Sequence, residues 1–230
     1  MTKIKQETKW LYLSHILDDN TPIYGGGNGF FHEAEKSLAN GDSCNKQKWN
    51  LSNHVGTHID CPRHFCEGTT IDFYPASFWI FKRISLIDLS ALVVPEQIVT
   101  WSDIKYHLPE DDVEFLLVKT GFTKFRNNEI FWQKNPGFAP DLAEKLKFSF
   151  PSLRLFGFDA ISLTSYSDKP MGHKAHRAFL DSVKPILLLE DMDLTAVSTN
   201  TDFRQITVSP LIVKGSDASP CTVFAEVYEL

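Results

Sequence analysis

The segment from His54 to His64 constrains this chain more than any other feature of its sequence. Within eleven residues it places three of the eight histidines and the carboxylate of Asp60. Imidazole and carboxylate groups are the side chains that bind Zn²⁺ or Mn²⁺ in proteins. A lone histidine usually packs or forms ordinary hydrogen bonds, but a cluster this dense is poorly explained by coincidence. The segment therefore predicts a metal site formed by His54, His58 and Asp60.

The spacing within this segment also predicts its backbone. Its three histidines and its aspartate occupy even-numbered positions, so in an extended chain they project from one face. On a straight strand, however, residues 54 and 58 are about 13 Å apart, too far for two imidazoles to share one ion. The chain must therefore bend, and Gly56 permits the bend because it lacks a Cβ atom. Pro62 stiffens the exit, and we predict a bent strand that runs into a loop.

These residues resemble the signature of a known enzyme family. The pattern H-x-G-T-H-x-D-x-P-x-H is matched at all its fixed positions, namely His54, Gly56, Thr57, His58, Asp60, Pro62 and His64. This is the signature of the cyclase or kynurenine formamidase family of metal-dependent hydrolases, and it is highly specific. The resemblance covers nearly the whole chain, with further similar segments at 22–24, 119–121 and 158–162.

The resemblance implies roles for residues beyond the metal ligands. It implies that His64 is the general base, and that His176 and Glu190 complete the metal site or anchor the substrate. Glu190 ends an apolar run, where an unpaired carboxylate is costly to bury. One or two ions of zinc or manganese per chain are expected.

Three aromatic residues are the candidates for substrate binding. Tyr24 ends the segment that resembles the N-terminal pocket of the family. Phe65 directly follows the histidine motif, and Phe73 lies in a loop-like stretch at 68–75. The glycine-rich loop at 25–29 is interpreted either as a mobile lid over the pocket or as an ordinary surface loop.

The function that the resemblance implies is hydrolysis of an amide, with N-formylkynurenine as the expected substrate and formate as a product. Within enzymes, the alternatives are a ring-opening hydrolase of a cyclic amide such as isatin, and a cyclase or dehydratase of a natural-product pathway. An alternative from another class is a non-catalytic metal-binding or metabolite-sensing protein. An intact His64 argues against that alternative, because a binding protein needs no base.

Composition limits the remaining possibilities. With 230 residues, 43% of them hydrophobic, the chain is expected to form one domain over residues 1–230. A net charge of −6 without a basic stripe argues against nucleic acid and favours a small-molecule partner. The segment 1–20 has no apolar run typical of a signal peptide, and no stretch is long and apolar enough for a membrane span, so a cytoplasmic protein is expected.

The cysteines do not suggest disulfides. None of the four forms a C-x-x-C pair, and we interpret them as free thiols. Cys61 and Cys66 flank the histidine motif, where packing is favoured over the alternative of a soft metal contact.

Apolar patterns predict a mixed α/β architecture. Strands are predicted at 10–15, 79–89, 113–119, 153–161, 184–190, 206–214 and 221–230. Helices are predicted over 141–150 and 171–180, with a short one ending at His107. The turn-rich linker 215–220 makes the last two strands a closing hairpin. The resemblance further implies a β/β/α arrangement with a barrel-like mixed sheet and flanking helices, assembled as a homodimer or homotetramer.

Overall fold

The computed structural model of the chain describes residues 7–181 and 183–229. The start of segment 1–20, Ser182 and Leu230 lie outside the described residues. The described strands are β1 (Thr8–Tyr12), β2 (Phe30–Lys36), β3 (Lys46–Leu51), β4 (His58–Asp60), β5 (Ile80–Phe81), β6 (Ile84–Asp88), β7 (Ile98–Val99), β8 (Phe115–Lys119), β9 (Gly137–Phe138), β10 (Leu155–Phe158), β11 (Leu187–Glu190), β12 (Phe203–Pro210) and β13 (Ala218–Tyr228). The helices are α1 (Trp101–Ile104), α2 (Ile130–Gln133), α3 (Asp141–Ser149) and α4 (Lys169–Leu180).

One large mixed sheet organises the molecule. Its strand order is β5-β12-β13-β4-β11-β10-β8-β6, and β1 pairs with β13. The strands β6, β8, β10 and β11 run parallel, whereas the pairs that involve β1, β4, β5, β12 and β13 are antiparallel. Because β6 also approaches β12, the sheet is nearly closed. The predicted α/β fold with a barrel-like mixed sheet and flanking helices is confirmed.

The parallel half of the sheet forms the centre of the core. The four residues of β10 and the four of β11 are all buried, as continuous apolar runs in a parallel sheet should be. Helices α3 and α4 pack together and follow the predicted boundaries within two residues. Helix α1 is only one turn long, and Thr100 caps it through a reciprocal pair of hydrogen bonds with Asp103.

The carboxyl ends of β8 and β10 are joined by a buried carboxylate. Asp159 accepts hydrogen bonds from the backbone nitrogen and hydroxyl of Thr120, both at 2.6 Å, and from the nitrogen of Gly121 at 2.9 Å. This explains why the segments 119–121 and 158–162 carry polar residues at the ends of buried strands. Their role here is to fix the loop that follows β10.

The closing hairpin is confirmed, but the predicted linker at 215–220 is wrong in part. Strand β13 already begins at Ala218, and residues 218–220 pair with the three residues of β4. The apolar pattern did not show this early start because Ser219 and Pro220 interrupt it. As a result, the residue that precedes β13 lies beside the histidine motif.

One other predicted strand differs from the structure, and one strand was not predicted. The region 79–89, predicted as one strand, forms two strands, β5 and β6. They stand at the two ends of the strand order, where β5 pairs with β12 and β6 pairs with β8. Strand β2 was not predicted because its sequence, FFHEAEK, lacks an apolar alternation. It forms a separate hairpin with β3, and almost every residue of both strands is exposed. Among the described residues, no helix has the length and apolar character needed to span a bilayer.

Candidate metal centre

The histidine motif folds around a short central strand. Residues His58, Ile59 and Asp60 form β4, which lies between β11 and β13 and is buried along its whole length. The predicted bend is confirmed at Gly56, which has φ of 60°, and a Cβ atom there would come within 2.5 Å of Leu17 Cδ2. Pro62 then begins a single 3₁₀ turn that ends at His64, so the chain folds back towards the strand.

The threonine of the motif connects β4 to the end of β11. The hydroxyl of Thr57 donates a hydrogen bond to the carbonyl oxygen of Asp191 and accepts one from the backbone nitrogen of His15. Asp191 adopts φ of 50°, which is rare for a residue other than glycine. Its carboxylate binds Arg126 through two hydrogen bonds of 3.0 and 2.8 Å. These contacts fix the backbone directly after Glu190.

Asp60 is the centre of the site, and its two oxygens face different pairs of histidines. Oδ1 lies 3.0 Å from His54 Nδ1 and 3.6 Å from His58 Nε2. Oδ2 lies 3.7 Å from His176 Nε2 and 3.9 Å from His64 Nε2. The site thus has two sides that share one carboxylate.

Glu190 joins the same two sides from the opposite strand. Its Oε2 lies 3.5 Å from His58 Nε2, and its Oε1 lies 3.5 Å from His176 Nε2. The backbone nitrogen of Leu163 donates to Oε1 at 2.7 Å and holds the carboxylate in place. The ligand atoms of His58, Asp60 and Glu190 all lie within 4.8 Å of one another.

All five residues predicted to bind metal, together with His64, are therefore brought together by the fold. We call these six residues the candidate metal centre: His54, His58, Asp60, His64, His176 and Glu190. The distant pair reaches the motif because β11 pairs directly with β4, which places Glu190 opposite His58. Helix α4 contributes His176 from the other side.

The two buried histidines are oriented by backbone carbonyl groups. His58 Nδ1 donates to the oxygen of Gly56 at 2.8 Å, and His176 Nδ1 donates to the oxygen of Gly172 at 3.0 Å. Because Nδ1 carries the hydrogen in both rings, the lone pair on Nε2 faces the carboxylates. Gly172 has no room for a side chain, since a Cβ atom would come within 2.2 Å of Thr164 Oγ1.

The donor set fits a divalent metal. Both oxygens of Asp60 are buried and accept no hydrogen bond, although His54 Nδ1 lies only 3.0 Å from one of them. Buried carboxylate oxygens normally have hydrogen-bond partners or bind a cation. Nitrogen and oxygen atoms that point to a common space, without bonding each other, have the arrangement of ligands to one ion. The mixture of imidazole and carboxylate suits zinc or manganese.

The pKa values of the site residues also show that positive charge is favoured beside Asp60. Burial by itself raises the pKa of Asp60, but contacts with His54, His58 and His64 outweigh it and hold that pKa well below its usual value. Burial also opposes the charged form of His54, yet Asp60 and Asp217 raise the pKa of His54 to about 9. Against the same opposition from burial, Glu190 and Asp60 raise the pKa of His176.

A cavity of about 220 Å³ opens onto these residues. Tyr24, Phe65 and Ile161 supply its aromatic and aliphatic walls, so two of the three predicted substrate-binding residues line it. The hydroxyl of Tyr24 is buried and has no hydrogen-bond partner. Phe65 stacks on the ring of His176 with the ring centres 4.6 Å apart.

The prediction that Phe73 lines the pocket is wrong. Phe73 ends the 3₁₀ turn Ile71–Phe73, its surface is 67% exposed, and its ring packs edge-on against Tyr74 instead of facing the cavity. The buried residue of this turn is Ile71, whose side chain lies in the hydrophobic core. The sequence pattern did not show which of the two apolar residues, Ile71 or Phe73, is buried.

The cysteines near the motif are packing residues. Cys61 is fully buried in the hydrophobic core, and Cys66 packs against its edge. All four cysteines, which lie within the described residues, carry free thiols, as predicted. The glycines 25–27 follow Tyr24 and are exposed, and the interpretation of their loop as a lid stays a prediction.

Asp217 also belongs to the site, although the sequence did not predict it. Its Oδ2 lies 3.1 Å from His54 Nε2 and 3.1 Å from His64 Nδ1. The residue sits in the predicted linker, more than 150 positions from the motif, and no local pattern connects the two. His173 was placed on a helix without a role, and it also lines the cavity.

The chain is similar over most of its length to known proteins. A family model described as a putative cyclase matches residues 11–164. The chain is 29% identical to a kynurenine formamidase of Geobacillus thermodenitrificans over 92% of this chain and 94% of that protein. It is 28% identical to a kynurenine formamidase of Bacillus anthracis over 93% and 95%. Isatin hydrolase A of Labrenzia aggregata has the same fold, with a TM-score of 0.79 and 20% identity over 96% of this chain and 94% of that chain.

The position of Asp60 between both pairs of histidines predicts that it dominates metal affinity. Asp60→Asn keeps the shape of the side chain but removes its negative charge, and it is expected to weaken zinc or manganese binding by at least about 100-fold. Competition titration with a chromophoric chelator measures this change. The matched control is Asp141→Asn, which alters an exposed pair with Lys145 and should leave metal binding unchanged. Equal affinity in Asp60→Asn and wild type would contradict the assignment.

Proposed function

Because the chain belongs to the putative cyclase family, we propose that it is a metal-dependent hydrolase that cleaves a carbon–nitrogen bond of N-formylkynurenine and releases formate. The observation that carries the proposal is the buried Asp60, which accepts no hydrogen bond and faces four imidazoles at the floor of a small cavity. The similar proteins named kynurenine formamidase support this choice of substrate.

We propose that His54, His58, Asp60, His176 and Glu190 hold the metal. The two sides of Asp60 and the two oxygens of Glu190 offer positions for two ions, and zinc and manganese both suit these ligands. A divalent ion supplies a Lewis acid that polarises a carbonyl oxygen and makes water more acidic. Analysis of metal content decides between one ion and two.

His64 is the proposed general base. Its Nδ1 faces Asp217 and its Nε2 faces Asp60 Oδ2, so the lone pair on Nε2 is directed into the site. There it takes a proton from the attacking water and returns it to the leaving nitrogen. Burial lowers the pKa of His64, which keeps the imidazole neutral and able to accept that proton at neutral pH.

The cavity supports a small aromatic substrate. Its volume of about 220 Å³ is below that of pockets for drug-sized ligands, which begin at about 300 Å³. Phe65 and Ile161 provide apolar contact for an aromatic ring, and the unpartnered hydroxyl of Tyr24 provides one polar contact.

Ring opening of a cyclic amide such as isatin is the second candidate. The fold shared with isatin hydrolase A over nearly the whole chain supports it, and the same ligands and base would serve both reactions. A natural-product cyclase would also use this cluster. A non-catalytic metal binder is disfavoured, because His64 is oriented towards the site as a base should be.

The substrate proposal is tested with purified protein on N-formylkynurenine, isatin and formanilide. We expect formate release from N-formylkynurenine, loss of that activity after chelation, and recovery when zinc or manganese is restored. A higher kcat/KM for isatin would assign the ring-opening reaction. Metal-loaded protein that hydrolyses none of these amides would contradict the proposed function.

Substitution of His64 separates catalysis from metal binding. His64→Ala is expected to lower kcat by about 10²- to 10⁴-fold, the usual contribution of a positioned base, with nearly unchanged metal content. His58→Ala is expected to lose metal and activity together, because its Nε2 faces both carboxylates. Elemental analysis and turnover are measured on the same samples. If His64→Ala loses metal as readily as His58→Ala, His64 is a ligand and not the base.

The exposed hairpin of β2 and β3 supports assembly with a second copy of the chain. An isolated two-stranded hairpin is marginally stable in water, and this one is exposed on both faces. Trp49 of the hairpin, Tyr12 and Leu211 are each more than half exposed and line a groove of about 1130 Å³. We propose a symmetric homodimer, alone or as half of a homotetramer, in which this groove receives the partner.

A charged residue in the groove should break the assembly. Trp49→Asp is expected to halve the mass measured by light scattering, because burying the new charge against a partner is unfavourable. Phe148→Asp is the control, since Phe148 is 88% exposed on α3 and does not line the groove. A monomeric wild-type protein at micromolar concentration would contradict the proposal.

The protein is further proposed to act in the cytoplasm on a small-molecule substrate. Its free thiols suit a reducing compartment, and its net charge of −6 offers no attraction for nucleic acid.

A further inference from the structure

The edge of the candidate metal centre holds a carboxylate that the proposed function does not yet use. Oδ2 of Asp217 lies 3.1 Å from His54 Nε2 and 3.1 Å from His64 Nδ1. The two rings lie against each other, with centres 4.1 Å apart and planes inclined by 36°. A single oxygen therefore contacts a proposed metal ligand and the proposed base.

Asp217 is itself held by the residue that precedes the histidine motif and by a residue within it. Asn53 Nδ2 donates to its Oδ1 at 2.8 Å, and the backbone nitrogen of Cys61 donates to its carbonyl oxygen at 2.8 Å. The neighbouring carbonyl of Ser216 accepts from the nitrogen of Ile71 at 3.0 Å. Strand β13, which begins at the next residue, pairs with β4. The carboxylate thus has a fixed position relative to the motif.

These contacts determine which nitrogen of each ring carries a hydrogen. An ionised carboxylate only accepts hydrogen bonds, so His54 must present Nε2–H and His64 must present Nδ1–H to it. The opposite nitrogens, His54 Nδ1 and His64 Nε2, then direct their lone pairs towards the two oxygens of Asp60. These are the nitrogens that metal binding and proton transfer require.

The two buried histidines obtain the same orientation in a different way. His58 and His176 donate from Nδ1 to the backbone oxygens of Gly56 and Gly172. Because those acceptors are backbone atoms, no side-chain substitution removes them. His54 and His64 are only half buried and depend on one side chain, that of Asp217.

Building on the proposed function, we propose that Asp217 is a positioning residue that sets the tautomer and orientation of both His54 and His64. Water gives a proton to His64 Nε2, and His64 passes it to the leaving nitrogen. Asp217 accepts the Nδ1–H hydrogen bond throughout and takes no proton. Asp217 therefore serves both metal affinity, through His54, and turnover, through His64.

Asp217→Asn is the principal test. The amide keeps the size of the side chain but loses the charge, and its NH₂ group at the position of Oδ2 cannot accept the hydrogen bonds of His54 and His64. In zinc-loaded protein with zinc in excess, kcat is expected to fall by about 10- to 100-fold with little change in KM, and the Kd for zinc is expected to rise by about 10- to 100-fold. Two-dimensional ¹H–¹⁵N spectra of the imidazoles should show His64 losing its Nδ1–H tautomer.

Asp72→Asn is the matched control. Asp72 accepts a hydrogen bond from the nitrogen of Gly215 at 3.0 Å, so it supports the same loop and loses the same charge. It does not contact the imidazoles, and its kcat and zinc Kd are expected to stay within about twofold of wild type. An equal loss in both variants would show that only the loop matters and would overturn the proposal.

Two further variants distinguish the proposed role from a structural one. In a His64→Ala background, Asp217→Asn should lower kcat by less than about twofold, because its catalytic effect passes through His64. Asp217→Glu restores a carboxylate and should recover part of the lost kcat. A full additional loss in the His64→Ala background, or unchanged zinc affinity and tautomers in Asp217→Asn, would overturn the proposal. If wild type hydrolyses no amide, only the proposed function fails, since zinc affinity and the imidazole spectra still test Asp217.

Discussion

The burial of Asp60 is the constraint on which the rest of the site depends. A carboxylate at the centre of a sheet is costly unless positive charge lies against it. Asp60 is fully buried and accepts no hydrogen bond, so the four imidazoles around it, together with the divalent ion that we propose, serve that purpose. The strand that carries it is correspondingly placed between β11 and β13, where backbone pairing on both sides prevents it from moving away. The largest sheet of the protein thus holds a charge that is unfavourable without its partners.

The precision of the site comes from backbone groups as much as from side chains. Gly56 and Gly172 offer their carbonyl oxygens to the two buried histidines, and neither position has room for a Cβ atom. Thr57 and Arg126 hold Asp191 and thereby the strand end that carries Glu190. Ligands placed on strands and oriented by rigid neighbours keep their geometry better than ligands on loops.

Much of this arrangement could be predicted from the sequence, because its strongest signals are local. The histidine motif, the bend at Gly56 and the buried strand that ends in Glu190 all follow from spacing, backbone freedom and hydrophobic patterns. Glu190 was predicted as a site residue from the family resemblance together with its place at the end of an apolar run, where a carboxylate needs a partner. Asp217 was not predictable from these patterns, because its contact depends on the register between β13 and β4. The prediction for Phe73 was wrong for a related reason, since aromatic character alone does not determine whether a ring in a short turn faces a cavity or the solvent.

The two faces of the cluster differ in a way that bears on how such a site changes during evolution. On the buried face, His58 and His176 donate to backbone oxygens. A substitution is strained at Gly56 by its positive φ and at Gly172 by the close approach of Thr164. On the open face, the orientation of His54 and His64 depends on one carboxylate from the loop before β13, and the cavity walls are side chains from three separate segments. Changes of substrate can therefore arise through residues such as Tyr24, Phe65 and Ile161 without disturbing the buried ligands. The same separation predicts that substrate preference can change through the walls of the cavity while the residues of the candidate metal centre keep their positions.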